Sequence, residues 1–255
     1  MSELHLVNIT PLENIFSITW IMHLKCNNDC MYCGWQHSAQ GKVLNLEELK
    51  QRWITVFEKT KHKKLKYKIA FTGGEVTLNR DFIPFIDWLY DNYQEHIHYA
   101  GLTSNGIVHV RHYLKLFEKI NFITLSTHTE SIDIDSFFEK AIILNNYAKA
   151  HNKIFMVNIM EEYWAWNEIR QMLDLCRSND IFYGLSAIFY DKTGSRTFPI
   201  FEEGTKRIER RDLQMTQEKV DTLHKQIQDY LKLYTVPKEE YSNLIAKYSD
   251  GSEVQ

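Results

Sequence analysis

Three cysteines fall within one short run, Cys26-Asn27-Asn28-Asp29-Cys30-Met31-Tyr32-Cys33. Thiolates are soft ligands, and three on one loop can hold a metal centre. Two chemistries suit such a donor set. A structural zinc needs a fourth ligand from elsewhere in the chain. A [4Fe–4S] cube held by three cysteines keeps one iron open. The remaining cysteine, Cys176, follows Ile169, Met172 and Leu173 at helical spacing. It is expected to pack as a small buried hydrophobe.

Residues that do chemistry have to be positioned, and the hydrophobic pattern says by what. Apolar, β-branched and aromatic runs at 16–24, 67–72, 97–103, 122–126, 154–160 and 182–189 read as buried strands. Between them lie segments with apolar residues at helical spacing. Residues 45–60 carry Leu46, Leu49, Trp53 and Phe57. The helix opening near Asn79 carries Phe82, Phe85, Ile86, Leu89 and Tyr93, with Pro84 in its first turn. Residues 108–120, 133–150 and 164–177 follow, the middle one placing Ile134, Phe137, Phe138, Ala141, Ile142, Asn145 and Ala148 on one face. A last helix at 217–234 aligns Val220, Leu223, Ile227, Leu231 and Tyr234.

Strands separated by helices imply right-handed crossovers and a parallel sheet. Six such repeats are too few for a closed eight-stranded barrel, so the expected fold is α/β, a partial (β/α)6 TIM-like barrel. No linker rich in Pro, Gly or Ser divides the chain. It is read as a single domain over 1–255: a core at about 16–190, a charged loop at 190–213, and a helix and tail at 215–255. Sites in parallel architectures lie at the carboxyl ends of strands. Polar and glycine-bearing stretches do end or follow the strands, Thr72-Gly73-Gly74-Glu75, Thr103-Ser104-Asn105-Gly106 and Leu125-Ser126-Thr127-His128, and the fifth strand contains Val157-Asn158-Ile159.

Composition narrows the partners. Of 255 residues, 44% are hydrophobic and 13% aromatic, enough for a sizeable core. The formal charge of −3 supplies no basic field for gripping nucleic acid. No apolar run is long enough to span a membrane, and residues 1–13 lack the pattern of a secretory signal. A cytoplasmic protein with no nucleic-acid or membrane partner is expected.

The cysteine run resembles the C-x3-C-x2-C signature of the radical S-adenosylmethionine (radical SAM) superfamily, with aromatic Tyr32 before the last cysteine. The later stretches are similar, in order, to the family's GGE motif, its T-N-G segment, the position of its Ser-x-Asp, and its V-N-x-V strand. The resemblance implies that Cys26, Cys30 and Cys33 bind a [4Fe–4S] cluster whose open iron chelates the methionine end of S-adenosylmethionine (SAM). Reductive cleavage then gives a 5′-deoxyadenosyl radical that abstracts hydrogen from a small-molecule or peptide substrate, with electrons from a flavodoxin- or ferredoxin-type donor. Tyr32, Gly73, Gly74, Glu75, Ser104, Asn105, Ser126 and Asn158 are the implied cofactor contacts. Glycine at 73 and 74 would let the backbone approach a ligand closely, and Glu75 would pair with the methionine ammonium.

Two residues after the fourth strand, His128 and Glu130, are the candidate catalytic pair, since an imidazole titrating near neutrality suits proton transfer. The charged loop, with Arg196 and Arg207, is the candidate substrate contact, because loops of this length often act as lids. Trp35, Trp164 and Trp166 are expected to pack at the rim, and His224 to be structural. The family's G-x-I-x-G-x-x-E pattern and a C-terminal cysteine-rich extension are not recognisable. In size the chain resembles glycyl-radical activating enzymes and deazaguanine ring-contracting synthases. It differs from the first at Ser126-Thr127-His128 and from the second at Gly34-Trp35. The alternative readings are a glycyl-radical-type activating enzyme and a zinc-stapled, non-catalytic binding module.

Overall fold

The computed structural model describes residues 15–28, 30, 33, 42–129, 131–162, 165–187, 217–232, 246–247 and 253–254. Six strands and five helices alternate from β1 (Ile15–Ile21) through α1 (Leu46–Thr60), β2 (Lys66–Thr72), α2 (Phe82–Tyr93), β3 (Ile97–Ser104), α3 (Val110–Phe117), β4 (Phe122–Thr127), α4 (Ile134–Ala150), β5 (Ile154–Glu161) and α5 (Trp166–Ser178) to β6 (Phe182–Ala187). The strands form one parallel sheet in chain order, β1 next to β2 and so on to β6. The sheet does not close on itself, which makes it a partial barrel. These elements belong to one compact unit of the chain. A second unit contains α6 (Gln217–Lys232) and a short antiparallel pair, β7 (Ala246–Lys247) with β8 (Glu253–Val254). Among the described residues no helix is long and apolar enough to cross a membrane.

Local chemistry explains the element boundaries. Asn45 caps α1: its side chain accepts from the Glu48 amide, and Glu48 accepts from the Asn45 amide, both at 3.0 Å. That reciprocal pair satisfies two donors that helix geometry leaves orphaned. Asp133 caps α4 in the same way through the Ser136 amide, at 2.9 Å. Along β2 burial alternates, with Tyr67, Ile69 and Phe71 buried and Lys66, Lys68 and Ala70 exposed. The buried face meets the helices: Trp53 stands against Tyr67 at 5.1 Å and Phe71 against Phe82 at 5.3 Å. Burying one such side chain contributes about 1.5–3 kcal/mol, so this aromatic seam fixes α1 and α2 on the sheet.

Two helices turn slightly from the faces expected of them. In α4 Leu144 is buried, whereas Ile142 and Ile134 are only part-buried. In α2 Tyr90 takes the buried position expected of Tyr93. Cys176 is fully buried with Ile169, Met172 and Leu173, and burial pushes its thiol up to about 12. It packs as a hydrophobe. Among the described side chains of α6, Leu223, Ile227 and Tyr230 are buried.

Candidate active site

The cysteine loop leaves the carboxyl end of β1, and its entry is zipped to the turn that follows β2. The Met22 amide donates to the Thr72 carbonyl (2.9 Å), Gly74 to the His23 carbonyl (2.7 Å) and Glu75 to the Lys25 carbonyl (2.9 Å). Glycine is required here by the chain itself. A Cβ on Gly73 would lie 2.3 Å from the His23 oxygen, and one on Gly74 2.2 Å from the Lys25 oxygen; Gly73 also has φ +144°. The close approach expected toward a ligand is therefore, on the Cβ side, an approach to the backbone that leads into Cys26.

Glu75 is fully buried and accepts four hydrogen bonds from its own chain. One oxygen takes the Thr77 amide (3.0 Å), the Thr77 hydroxyl (2.5 Å) and the Ser104 hydroxyl (2.8 Å), and the other takes the Asn105 amide (2.6 Å). The carboxylate thus ties the end of β2 to the end of β3. Ser104 is also paired with the Tyr113 hydroxyl of α3 at 2.7 Å. Burial, with the Glu75 charge nearby, pushes the Tyr113 phenol well above its ordinary range. Asn105 reaches back to the cysteine loop, donating to the Asn27 side chain at 2.8 Å, with the Cys26 sulfur 3.9 Å away. A polar cleft of about 110 Å³ opens beside it, lined by Asn28, Asn105, Gly106, Asp133, Ser136 and Lys140 among others.

Of the three loop cysteines, Cys30 is buried and Cys26 and Cys33 are part-exposed, and among the described residues none is in a disulfide. The Cys26 sulfur accepts from the Asn28 amide at 3.4 Å, and burial raises its thiol above the usual value. The donor set suits an iron–sulfur cluster: three soft thiols on one loop whose entry is clamped to β2. Among the described residues no three His, Cys, Asp or Glu side chains gather closely enough to hold a single metal ion.

Across the sheet, Ser126 of β4 stands in register with Asn158 of β5, so the two side chains share a face. Asn158 accepts from the Ser186 hydroxyl of β6 at 2.7 Å, which leaves its amide nitrogen directed at the Met160 sulfur, 3.6 Å away. His128 follows β4, part-buried, and burial pushes its imidazole down to about 4. Its neighbour Thr129 donates to the fully buried Glu162 at the end of β5. Tyr32, Glu130, Trp35, Trp164 and the 190–213 loop with Arg196 and Arg207 lie outside the described residues. Trp166 opens α5, half-buried.

The structure adds Thr77, Tyr113, Ser186 and His23 to the expected residues. His23, two positions past β1, is 4% exposed, and among the described residues neither ring nitrogen has a hydrogen-bond partner. Only Thr77 had a signal in the sequence: a carboxylate two residues before a threonine can accept that residue's amide and close a tight turn.

An open, parallel β/α sheet with a three-cysteine loop at the carboxyl end of its first strand defines a partial barrel arranged for soft-metal chemistry. Residues 20–163 match the model of the Radical SAM superfamily, and the chain belongs to that superfamily. Its members use a [4Fe–4S] cluster and SAM, act on substrates and take electrons from reductants. Over 118 residues the chain is 31% identical to GTP 3′,8-cyclase of Haemophilus ducreyi, covering 46% of this chain and 32% of that protein. Among solved structures, anSMEcpe with bound AdoMet aligns at a TM-score of 0.53 and 18% identity, over 75% of this chain and 54% of that one. Streptococcus suis SuiB aligns at 0.52 and 15% identity, over 87% and 47%. The chain thus spans about a third of the length of the curated relative and about half that of these structures. The superfamily match takes the place of the zinc-stapled reading.

Proposed function

We propose that the chain is a radical SAM enzyme that cleaves SAM reductively and abstracts hydrogen from a small-molecule or peptide substrate. The observation that carries this reading is the clamp between the Gly73-Gly74-Glu75 turn and the backbone leading into Cys26, which ties the entry of the three-cysteine loop to the carboxyl ends of β1 and β2. Cys26, Cys30 and Cys33 would hold the cluster. When bound, the cluster and SAM supply a carbon radical able to take hydrogen from an unactivated position.

The chain's own residues do the rest. Glu75 and Ser104 hold the strand ends at fixed spacing, and Asn105 ties the turn after β3 to the loop. Ser126 and Asn158 offer a hydroxyl and an amide on the face they share, toward the ribose of SAM. His128, kept neutral by burial, stands at the mouth as an uncharged donor and acceptor for substrate. A flavodoxin- or ferredoxin-type protein is the electron source this reading implies.

The test is anaerobic reconstitution with iron and sulfide, reduction, and incubation with SAM and deuterated candidate substrates. Iron and sulfide with absorption near 400 nm, 5′-deoxyadenosine on reduction, and deuterium carried into it by one substrate support the reading. A colourless protein holding zinc, or an iron–sulfur protein that leaves SAM intact, refutes it.

A further inference from the structure

His23 is a buried polar side chain left without a partner. It lies two residues past β1 and three before Cys26, and only 4% of it is exposed. Among the described residues, both ring nitrogens, Nδ1 and Nε2, lack a hydrogen-bond partner. Its own carbonyl is committed to the Gly74 amide at 2.7 Å, so the residue is fixed in place. The nearby Lys25 carbonyl already accepts the Glu75 amide at 2.9 Å. Burial holds the imidazole below its ordinary pKa, although that carbonyl and the Glu75 charge pull the other way. The ring is therefore neutral, with one nitrogen donating and one accepting.

A buried polar group without a partner is destabilising, and this residue carries two. A cluster sulfide could satisfy only the donor and would leave the accepting nitrogen bare. An α-amino acid presents both partners, a carboxylate that accepts and an amino group whose N–H donates. Such a group is the methionine end of SAM. We propose that His23 recognises that end of SAM, donating through one ring nitrogen to its carboxylate and accepting through the other from an N–H of its amino group. This rests on the proposed function, and specifically on SAM binding at the cysteine loop.

The test uses anaerobically reconstituted wild type, His23→Leu and His23→Gln, with calorimetric titration of SAM and of 5′-methylthioadenosine, which lacks the amino-acid end. A hydrogen bond to a charged group contributes about 1.5–3 kcal/mol, and each 1.4 kcal/mol is tenfold. His23→Leu should therefore bind SAM at least about 10-fold more weakly and bind methylthioadenosine unchanged. His23→Gln, which keeps a donor and an acceptor, should recover most of the loss. Before reconstitution, His23→Leu should melt no lower than wild type, because it removes two orphaned nitrogens. The assignment is overturned by SAM affinity within twofold of wild type in His23→Leu. It is equally overturned by parallel weakening of both ligands, by no recovery in His23→Gln, or by a lowered melting temperature before reconstitution. Wild type that binds no SAM would instead overturn the proposed function, and this assignment with it.

Discussion

Replacing Glu75 by Gln keeps its volume and removes its charge, so it asks what the buried carboxylate does. The wild-type oxygens accept from Thr77 twice, from Ser104 at 2.8 Å and from the Asn105 amide at 2.6 Å. Glutamine offers one oxygen and one NH2 group. Whichever way it turns, the NH2 faces donors: Asn105 on one side, or Thr77 and Ser104 on the other. The loss is at least one charge-assisted bond, about 1.5–3 kcal/mol, plus the cost of an unsatisfied buried donor, about 1–3 kcal/mol. Together these amount to about 2.5–6 kcal/mol, a large part of the roughly 5–15 kcal/mol that holds a domain folded. For a chain of this size that corresponds to a melting-temperature fall on the order of 10 °C. The assay is calorimetric melting of the metal-free protein, with iron content after reconstitution as a second reading, since the same turn clamps the loop. Melting within about 2 °C of wild type, combined with weakened SAM binding, would refute this. The carboxylate would then be a ligand to the methionine ammonium and not a structural tie.

Three further outcomes are expected. Alanine at Cys26, Cys30 or Cys33 should abolish both cluster retention and 5′-deoxyadenosine formation, whereas Cys176→Ala should keep full iron content and lose about 1 kcal/mol, because little volume is removed; an iron-free Cys176→Ala protein would contradict the three-cysteine site. Gly74→Ala forces a methyl to within 2.2 Å of the Lys25 carbonyl oxygen, so the turn must part from the loop entry, and iron content should collapse even where the protein stays soluble. His128 titrates near 4 in the folded chain and near 6.5 when unfolded, so unfolding takes up a proton between those values. Its burial therefore costs nothing above pH 6.5 and destabilises increasingly below it, by no more than about 3 kcal/mol at pH 4. Melting curves of wild type and His128→Gln should accordingly converge at neutral pH and separate on acidification, with the variant higher; parallel curves would mean the imidazole is not desolvated.

The fold was legible because each element announces itself locally. The apolar run of β2, the helical spacing of Leu46, Leu49, Trp53 and Phe57 in α1 and the stripe of α5 are all written within a few adjacent residues. Rotation about a helix axis is not, since Ile142 and Leu144 are equally apolar and only the packing around α4 selects between them. For the site, motif order marked the strand ends. What each motif contacts was hidden, because those contacts join residues far apart in the chain. Ser104 meets Glu75 across 29 positions, and Asn105 meets Asn27 across 78. Within its apolar run, His23 resembled one more strand residue. Its distinction, burial without a partner, exists only in three dimensions.

The strand order has a consequence for how the molecule is made. Every strand pairs with its predecessor in the chain, so the sheet grows in the direction of synthesis, through the most local pairings a parallel sheet allows. The clamp on the cysteine loop draws on β1, the turns after β2 and β3, and Tyr113 of α3, all of which leave the ribosome before β4. Ser126, Asn158 and Ser186 arrive afterwards, on the three strands still to be added. The clamp at the loop entry and the face shared by Ser126 and Asn158 are thereby separable in time: the first is complete while the strands that carry the second are still being translated.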